Sequence, residues 1–218
     1  MPQIPFRILL LISLLALLIV GIQVGVLTIA FEKLDLTKDS ALLLLITIMG
    51  GSMVNLPLLS MKSERPNLDE MPSQLRELYR DIPYTGRTLV MINVGGCLVP
   101  AAFCFYLMAH HPMNPFNVAA AVSAVALLSY KTSRSIPGVG LGMPVFFAPL
   151  LAALLSVSLD PQNAAPMAFI SGTLGVLIGA DLLHFPEIRK MGTPLASIGG
   201  AGSFDGIFIS GIVAVLLT

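Results

Sequence analysis

The stretch PMAFISGTLGVLIGADLLHF, residues 166–185, decides the fold class of this 218-residue chain. Its length suits a helix that crosses a hydrocarbon core of about 30 Å, for which roughly 17–25 apolar residues are needed. One charged side chain, Asp181, lies inside it. Because a charge at a bilayer centre costs roughly 2.5–3.5 kcal/mol, such residues usually face a bundle interior or a watery cavity. The stretch therefore predicts a membrane span that carries a functional group.

The composition of the whole chain is typical of a membrane protein. Hydrophobic residues make up 56% and charged residues 11%, and the mean hydropathy is +0.88. Soluble domains average about 25% charged residues. Twelve basic residues balance twelve acidic ones, which gives no support for a nucleic-acid partner. We expect the lipid bilayer to be the main partner, and we predict neither a cofactor nor a bound metal.

Further apolar runs extend this interpretation to an all-α, polytopic helical bundle that forms a single transmembrane domain over residues 1–218. The first run is too long for the apolar region of a signal peptide, so we expect a retained helix. About seven transmembrane helices are predicted, with six or eight as alternatives. The predicted spans are 8–31, 41–60, 88–109, 116–131, 143–159, 166–185 and 196–217.

The basic residues predict the orientation of these spans in the cell membrane. With the N-terminus in the cytoplasm, only Lys33 and Lys38 fall in outer segments. The other ten basic residues then fall on the cytoplasmic side, as the positive-inside rule requires, and the C-terminus lies outside. These ten are Arg7, Lys62, Arg65, Arg76, Arg80, Arg87, Lys131, Arg134, Arg189 and Lys190.

Residues 62–87 form the one long polar connection between predicted spans. Apolar residues recur at helical spacing over 68–82, with charged residues between them. This pattern is typical of an amphipathic helix on the cytoplasmic membrane surface. A solvated connector without that helix is the alternative.

The chain also contains a faint internal repeat. GGSMVNLP at 50–57 can be aligned with GADLLHFP at 179–186, and VGG at 94–96 with IGG at 198–200. Spans one to three and five to seven would then be parallel repeats joined by span four, an arrangement found in transporters. The first copy has no aspartate at either aligned position, so we expect the chemistry in the second half.

A second aspartate, Asp205, follows a glycine-rich segment at the start of the last predicted span. Asp181 and Asp205 would lie on successive antiparallel helices near the cytoplasmic side. Two carboxylates in a low-dielectric site tend to share one proton, and such a pair can activate water. However, a tight hairpin puts Asp181 level with Gly199, which leaves about 9 Å of axial mismatch to Asp205. Closing this gap requires unwinding at Gly199–Gly202, a tilt or an asymmetric loop; otherwise the aspartates are independent.

Two further features surround this candidate pair. His184 follows Asp181 at a spacing that can relay protons or ligate metal, although a metal site needs more ligands. The segment SIPGVGLGMP at 135–144 holds too much glycine and proline for a regular helix. We interpret it as a gate or re-entrant piece, with a flexible loop as the alternative.

The second half of the chain carries a family resemblance. The segments GTLGVLIGADLL at 172–183 and ASIGGAGSFDGIF at 196–208 resemble the prokaryotic membrane family catalogued as domain of unknown function 1614. PGVG at 137–140 and NLP at 55–57 look like the same family, so the resemblance covers nearly the whole chain. The family name implies no activity.

A more distant likeness concerns mechanism. The order, direction and sidedness of Asp181 and Asp205 are similar to those of signal peptide peptidase and presenilin. In those proteases the second aspartate stands in a Gly-x-Gly-Asp motif, whereas here two residues separate the glycines from Asp205. Their Pro-Ala-Leu motif has its nearest counterpart upstream, around Pro149. The likeness supports the hypothesis that Asp181 and Asp205 are catalytic, but it transfers no residue assignment. From their positions around the pair, we expect Gly199, Gly200, Gly202, His184 and Pro149 to bind substrate.

Three functions follow as hypotheses. The first is an aspartyl intramembrane protease-like hydrolase that acts on membrane-helix peptides. The second is a transporter of small solutes that couples to protons or cations through the aspartates. The third is a non-catalytic membrane scaffold whose segment 68–82 docks a cytoplasmic partner.

Overall fold

A computed structural model describes residues 25–64, 86–136, 140–200 and 206–218 of the protein. Within these ranges the chain is mostly helical, but it also contains two small sheets. Five predicted features lie wholly or partly outside the described residues: most of the first span, the amphipathic segment 68–82, residues 137–139 of the predicted gate, Gly202 and Asp205.

The first half of the described chain alternates helices and strands. Helix α1 covers 25–33, and helix α2 (Lys38–Ser52) begins at the cap Thr37, whose hydroxyl accepts from the Ser40 amide. Strand β1 (Asn55–Lys62) follows at once, and strand β2 (Arg87–Asn93) leads into a first π-helical turn (Val94–Leu98) and helix α3 (Val99–His110).

The second half is built around a long helical segment. Helix α4 (Pro115–Thr132) is followed by strands β3 (Arg134–Ile136) and β4 (Gly140–Gly142), then by helix α5 (Phe147–Leu159). The remaining elements are a 3-10 turn (Pro161–Asn163), helix α6 (Ala164–Val176), a second π-helical turn (Leu177–Leu182), a 3-10 turn (Phe185–Glu187), helix α7 (Ile188–Met191), strand β5 (Leu195–Ile198) and helix α8 (Gly206–Leu217).

Helix α6 is the centre of the bundle and packs against α3, α4, α5 and α8. Every residue from Pro166 to Thr173 is buried, as expected for a helix that is apolar on all sides. The Phe169 ring makes edge contacts with Phe103 of α3 and Phe208 of α8, at centroid distances of 5.1 and 6.1 Å. These rings fix the three helices around one core.

Glycines allow the second π-helical turn and α6 to approach their neighbours closely. A Cβ on Gly175 or Gly179 would overlap α4, and one on Gly172 would press on the backbone of α8. These three glycines therefore allow close packing against two different helices, as is common where membrane helices meet.

A three-stranded sheet in the order β1-β2-β5 corrects the prediction of an all-α bundle. β1 pairs antiparallel with β2, and β2 pairs parallel with β5. The predicted helices 41–60, 88–109 and 196–217 are wrong over 55–60, 88–93 and 196–198, where the chain is extended. Pro57 inside the first of these disfavours a continuous helix, because proline removes a backbone donor and clashes with the preceding turn.

The described part of the chain contains one helical segment that is both long and apolar enough to cross a membrane, Pro161–Lys190. It includes the span predicted at 166–185. Three shorter apolar helices are Val94–His110, Phe147–Leu159 and Gly206–Leu217. The prediction of a helix over 116–131 is confirmed by α4. In the segment 135–144, residues 134–136 and 140–142 form an antiparallel pair of short strands.

Candidate functional site

The candidate site lies where β5 ends, beside the second π-helical turn. A π-helical turn carries one extra residue relative to an α-helix, and such turns occur frequently at functional sites. Asp181 is in this turn, and its Oδ2 accepts a hydrogen bond of 3.1 Å from the Gly199 amide. This bond places the Asp181 carboxylate beside Gly199, although the chain around Gly199 follows a strand and not the helical hairpin considered from the sequence. Hydrogen bonds to a carboxylate are among the stronger ones in proteins.

Gly199 has a geometry that only glycine adopts easily. Its φ is +68°, and a Cβ there would lie 2.8 Å from the Cys97 nitrogen and from the Gly96 carbonyl carbon. The end of β5 therefore rests directly on the backbone of the first π-helical turn. This contact joins the two halves of the chain next to the Asp181 carboxylate.

A network of neutral polar side chains continues from this point across the sheet. Ser197 Oγ donates to Asn55 Oδ1 at 2.6 Å, and Asn93 Nδ2 donates to the same oxygen at 3.1 Å. Asn93 Nδ2 also donates to the Ser52 carbonyl at 2.8 Å, while its Oδ1 accepts from the Gly96 amide at 2.7 Å. The network thus links the adjacent ends of α2, β1, β2 and β5.

Sequence reasoning missed this network. Asn55, Asn93 and Ser197 all lie in segments for which the sequence predicts membrane helices. The missing element was the sheet, because each strand lies within an apolar run long enough for a membrane helix. The signals that could have revealed it are Pro57 and the placement of Asn93 directly before a pair of glycines.

Gly200 and Pro149 are two further predicted site residues, and only Gly200 lies near the network. Gly200 lies beside the network, since a Cβ on it would overlap Ser197 and stand 3.1 Å from Asn55 Oδ1. Pro149 is buried in the first turn of α5 and takes no part in the hydrogen bonds around Asp181. Asp205 and Gly202 lie outside the described residues, so the proximity of the two carboxylates stays a prediction.

His184 lies close to Asp181 along the chain but does not share its hydrogen bonds. It is buried, with 4% of its surface exposed, and its Nδ1 lies 3.1 Å from the Gly179 carbonyl oxygen. Its Nε2 lies 4.0 Å from Glu187 Oε1. Among the residues that the structure describes, no group of three or more His, Cys, Asp or Glu side chains is placed to hold a metal ion.

The two segments of the second aligned pair in the predicted repeat lie at the ends of neighbouring strands. VGG at 94–96 follows β2 and IGG at 198–200 ends β5, and these two strands are parallel neighbours. Their register pairs Ile92 with Ile198, two residues away from the sequence alignment. Duplication of the chain stays a prediction.

Comparison with known proteins places the chain without assigning an activity. No curated protein matches it, and no solved structure does. The profile of one family, described as "Protein of unknown function (DUF1614)", matches residues 49–217. This match covers most of the chain, including the sheet, both π-helical turns and Asp181, so the protein belongs to the DUF1614 family.

Proposed function

We propose that this protein is a multi-spanning membrane hydrolase of the aspartyl type, in which Asp181 and Asp205 cleave a peptide bond in a membrane-helix substrate. The observation that carries the proposal is the hydrogen bond from the Gly199 amide to Asp181. It fixes a carboxylate at the end of a sheet, inside a segment otherwise long and apolar enough to span a bilayer. Charged groups in such segments mark function by default.

The multi-spanning arrangement is supported by which segments meet at each end of the molecule. Lys33, Asp35, His111 and residues 161–166 line one pocket, and all were expected on the outer side. At the other end, the Glu64 amide donates to the Arg189 carbonyl, and both were expected on the cytoplasmic side. This grouping favours a bundle inserted in the cell membrane with the N-terminus in the cytoplasm.

The interruption of the last predicted span supports a pairing of Asp181 with Asp205. A straight helix from residue 196 would separate their levels by about 9 Å, at 1.5 Å per residue. Instead, residues 195–198 form strand β5, and Gly199 adopts a left-handed conformation. The axial mismatch calculated for a continuous helix therefore does not apply.

The proposed chemistry needs only the two carboxyl groups and water. One carboxylate takes a proton from water while the hydroxide attacks the carbonyl carbon of the scissile bond. The protonated carboxyl group of the pair then gives a proton to the nitrogen as the carbon–nitrogen bond breaks. The products are a carboxylic acid and an amine, and the pair again shares one proton.

The sheet supports a polypeptide substrate over a small solute. β1 pairs on one side with β2, and no described strand lies on its other side. Every residue of β1 except Met61 is exposed, including Leu56, Leu58 and Leu59. An exposed edge of this kind accepts an extended chain through backbone hydrogen bonds.

The test is cleavage of labelled membrane-helix peptides by the purified protein in liposomes. Asp181→Asn and Asp205→Asn are each expected to lower the cleavage rate by about 10²–10⁴-fold, the usual contribution of acid–base groups. Asp39→Asn is the matched control, because Asp39 is exposed in the first turn of α2 and should leave the rate unchanged. Unchanged cutting in both site variants would eliminate the mechanism.

A second candidate function is proton- or cation-coupled transport of a small solute. It is favoured by the breaks in helical structure at Val94–Leu98 and Leu177–Leu182, since transporters bind substrates at discontinuous helices. The same liposomes, loaded with a pH-sensitive dye, separate the two functions. Flux that depends on Asp181 without any peptide cleavage would replace the hydrolase by the transporter.

A further inference from the structure

His184 closes the second π-helical turn with its side chain. The last main-chain bond of this turn runs from the Leu183 amide to the Ile178 carbonyl, five residues back, at 2.9 Å. The next carbonyl along the turn is that of Gly179. Its oxygen lies 3.1 Å from Nδ1 of His184, and His184 also follows its partner by five residues. A carbonyl oxygen only accepts, so Nδ1 carries the hydrogen. The imidazole thus takes the place of the next backbone donor.

The rest of the imidazole is held on two other sides. The Tyr130 ring of α4 lies against it at a centroid distance of 4.7 Å, and Glu187 Oε1 stands 4.0 Å from Nε2. Gly179 is itself pressed on α4, where a Cβ would overlap the Ala126 carbonyl. Both ends of the 179–184 segment are therefore anchored to the same helix.

Asp181 lies inside the loop that this hydrogen bond closes. Asp181 is two positions after Gly179 and three positions before His184, so the orientation of its backbone depends on both ends. Side chains whose direction matters are usually fixed by such supporting contacts. The carboxylate is half-buried and directed at Gly199.

We propose that His184 is a positioning residue, which closes the π-helical turn through Gly179 and thereby aims the Asp181 carboxylate at the Gly199 amide. Its catalytic meaning rests on the proposed function, but the positioning itself is a property of the fold. His184 does not touch substrate in this proposal, and its role is distinct from that of a metal ligand or a proton relay.

Gly199 offers a direct readout of this positioning. Gly179 and Gly199 are the two glycines of the chain that follow an isoleucine. Labelling with carbonyl-¹³C isoleucine and ¹⁵N glycine therefore isolates these two amides in an NMR spectrum of the full-length protein in nanodiscs. Hydrogen exchange of the Gly199 amide then reports its bond to Asp181, without any requirement for activity.

In the experiment, Asp181→Ala defines the exchange rate of Gly199 without its acceptor. His184→Ala is expected to accelerate Gly199 exchange at least about tenfold, since a hydrogen bond to a charged group is lost. His184→Asn should retain slow exchange, because its amide nitrogen occupies the position of Nδ1. The matched control is His110→Ala, because the His110 ring makes the same kind of contact with Tyr106 at an exposed helix end. This variant should leave the exchange rate of Gly199 unchanged.

Slow Gly199 exchange in His184→Ala would overturn the proposal. If that variant does not fold, the comparison of His184→Asn with His184→Gln decides, because the longer amide does not superimpose on Nδ1. Equal exchange in these two would also overturn it. The two proposals can fail separately. If His184→Ala loses the exchange protection of Gly199 while Asp181→Asn leaves peptide cleavage unchanged, the hydrolase is rejected and the positioning role of His184 is retained.

Discussion

At the residue scale, the site depends on positions where a side chain is excluded as much as on those where one is present. Gly199 combines a left-handed backbone with direct contact to the Gly96–Cys97 backbone. The atoms on both sides of this contact belong to the backbone, which cannot move aside as a flexible side chain can. Backbone packing therefore contributes directly to the position of the amide that binds Asp181.

Gly199→Ala is expected to destabilise the protein by about 2–5 kcal/mol. The left-handed conformation contributes roughly 1–2 kcal/mol and the added methyl group about 1–3 kcal/mol of overpacking. Gly50→Ala is the matched control, since Gly50 lies in α2 with no atom within 4 Å of an added Cβ. It should stabilise by up to about 1 kcal/mol through helix propensity. Thermal unfolding in detergent measures both, and shifts of the same sign would contradict the structure.

At the element scale, the three-stranded sheet is the feature that distinguishes this protein from a plain helical bundle. The register places Ser60 opposite Leu89 and Met61 opposite Thr88. Residues opposite one another in antiparallel strands have Cα atoms about 4.5–5.5 Å apart, within reach of a disulfide. Successive residues point to opposite faces, so cross-linking should alternate along the strand.

The corresponding prediction uses a background without the native cysteines, Cys97→Ala with Cys104→Ala. Ser60→Cys combined with Leu89→Cys should form a disulfide readily under mild oxidation. The same Ser60 change combined with Val90→Cys should not, because position 90 faces the other way. Mass spectrometry of the digested protein measures both yields. Comparable yields would favour the helices that the sequence alone predicts.

The sequence predicts the helices of this protein better than it predicts the strands. Helix α4 and the helical course of 166–182 follow from length and hydropathy, because those segments are helical throughout. The strands could not be predicted in that way, because each lies within an apolar run that is long enough for a membrane helix, and short apolar runs do not distinguish strand from helix. Asp181 stood out because charge is costly in such a run, whereas Asn55, Asn93 and Ser197 acquire their meaning only from strand pairing.

At the scale of the whole molecule, the ends of the bundle separate two sets of polar residues. The pocket lined by Lys33, His111 and residues 161–166 lies at one end. The junction of Glu64 with Arg189 lies at the other. The distribution of basic residues predicts a fixed orientation across a bilayer, with these two ends on opposite sides.

Cysteine labelling tests this orientation. In the background without native cysteines, Lys190→Cys should react with a membrane-impermeant maleimide in inverted vesicles, and Lys38→Cys in right-side-out vesicles. Both positions are exposed, so accessibility within the protein does not limit either reaction. Labelling of both residues from the same side would rule out an odd number of spans between them.

The parallel pairing of β2 with β5 has a consequence for biogenesis. More than a hundred residues separate Leu89 from its partner Leu195, so the pairing is among the least local in the chain. While a ribosome is still making the intervening helices, one side of β2 has no strand to bond with, and contacts of such long range form slowly. The Gly199 amide likewise cannot meet Asp181 before β5 arrives. Under the proposed function, Asp181 would therefore lack its hydrogen bond to Gly199, and the protein would stay inactive, until β5 had been synthesised and had paired with β2.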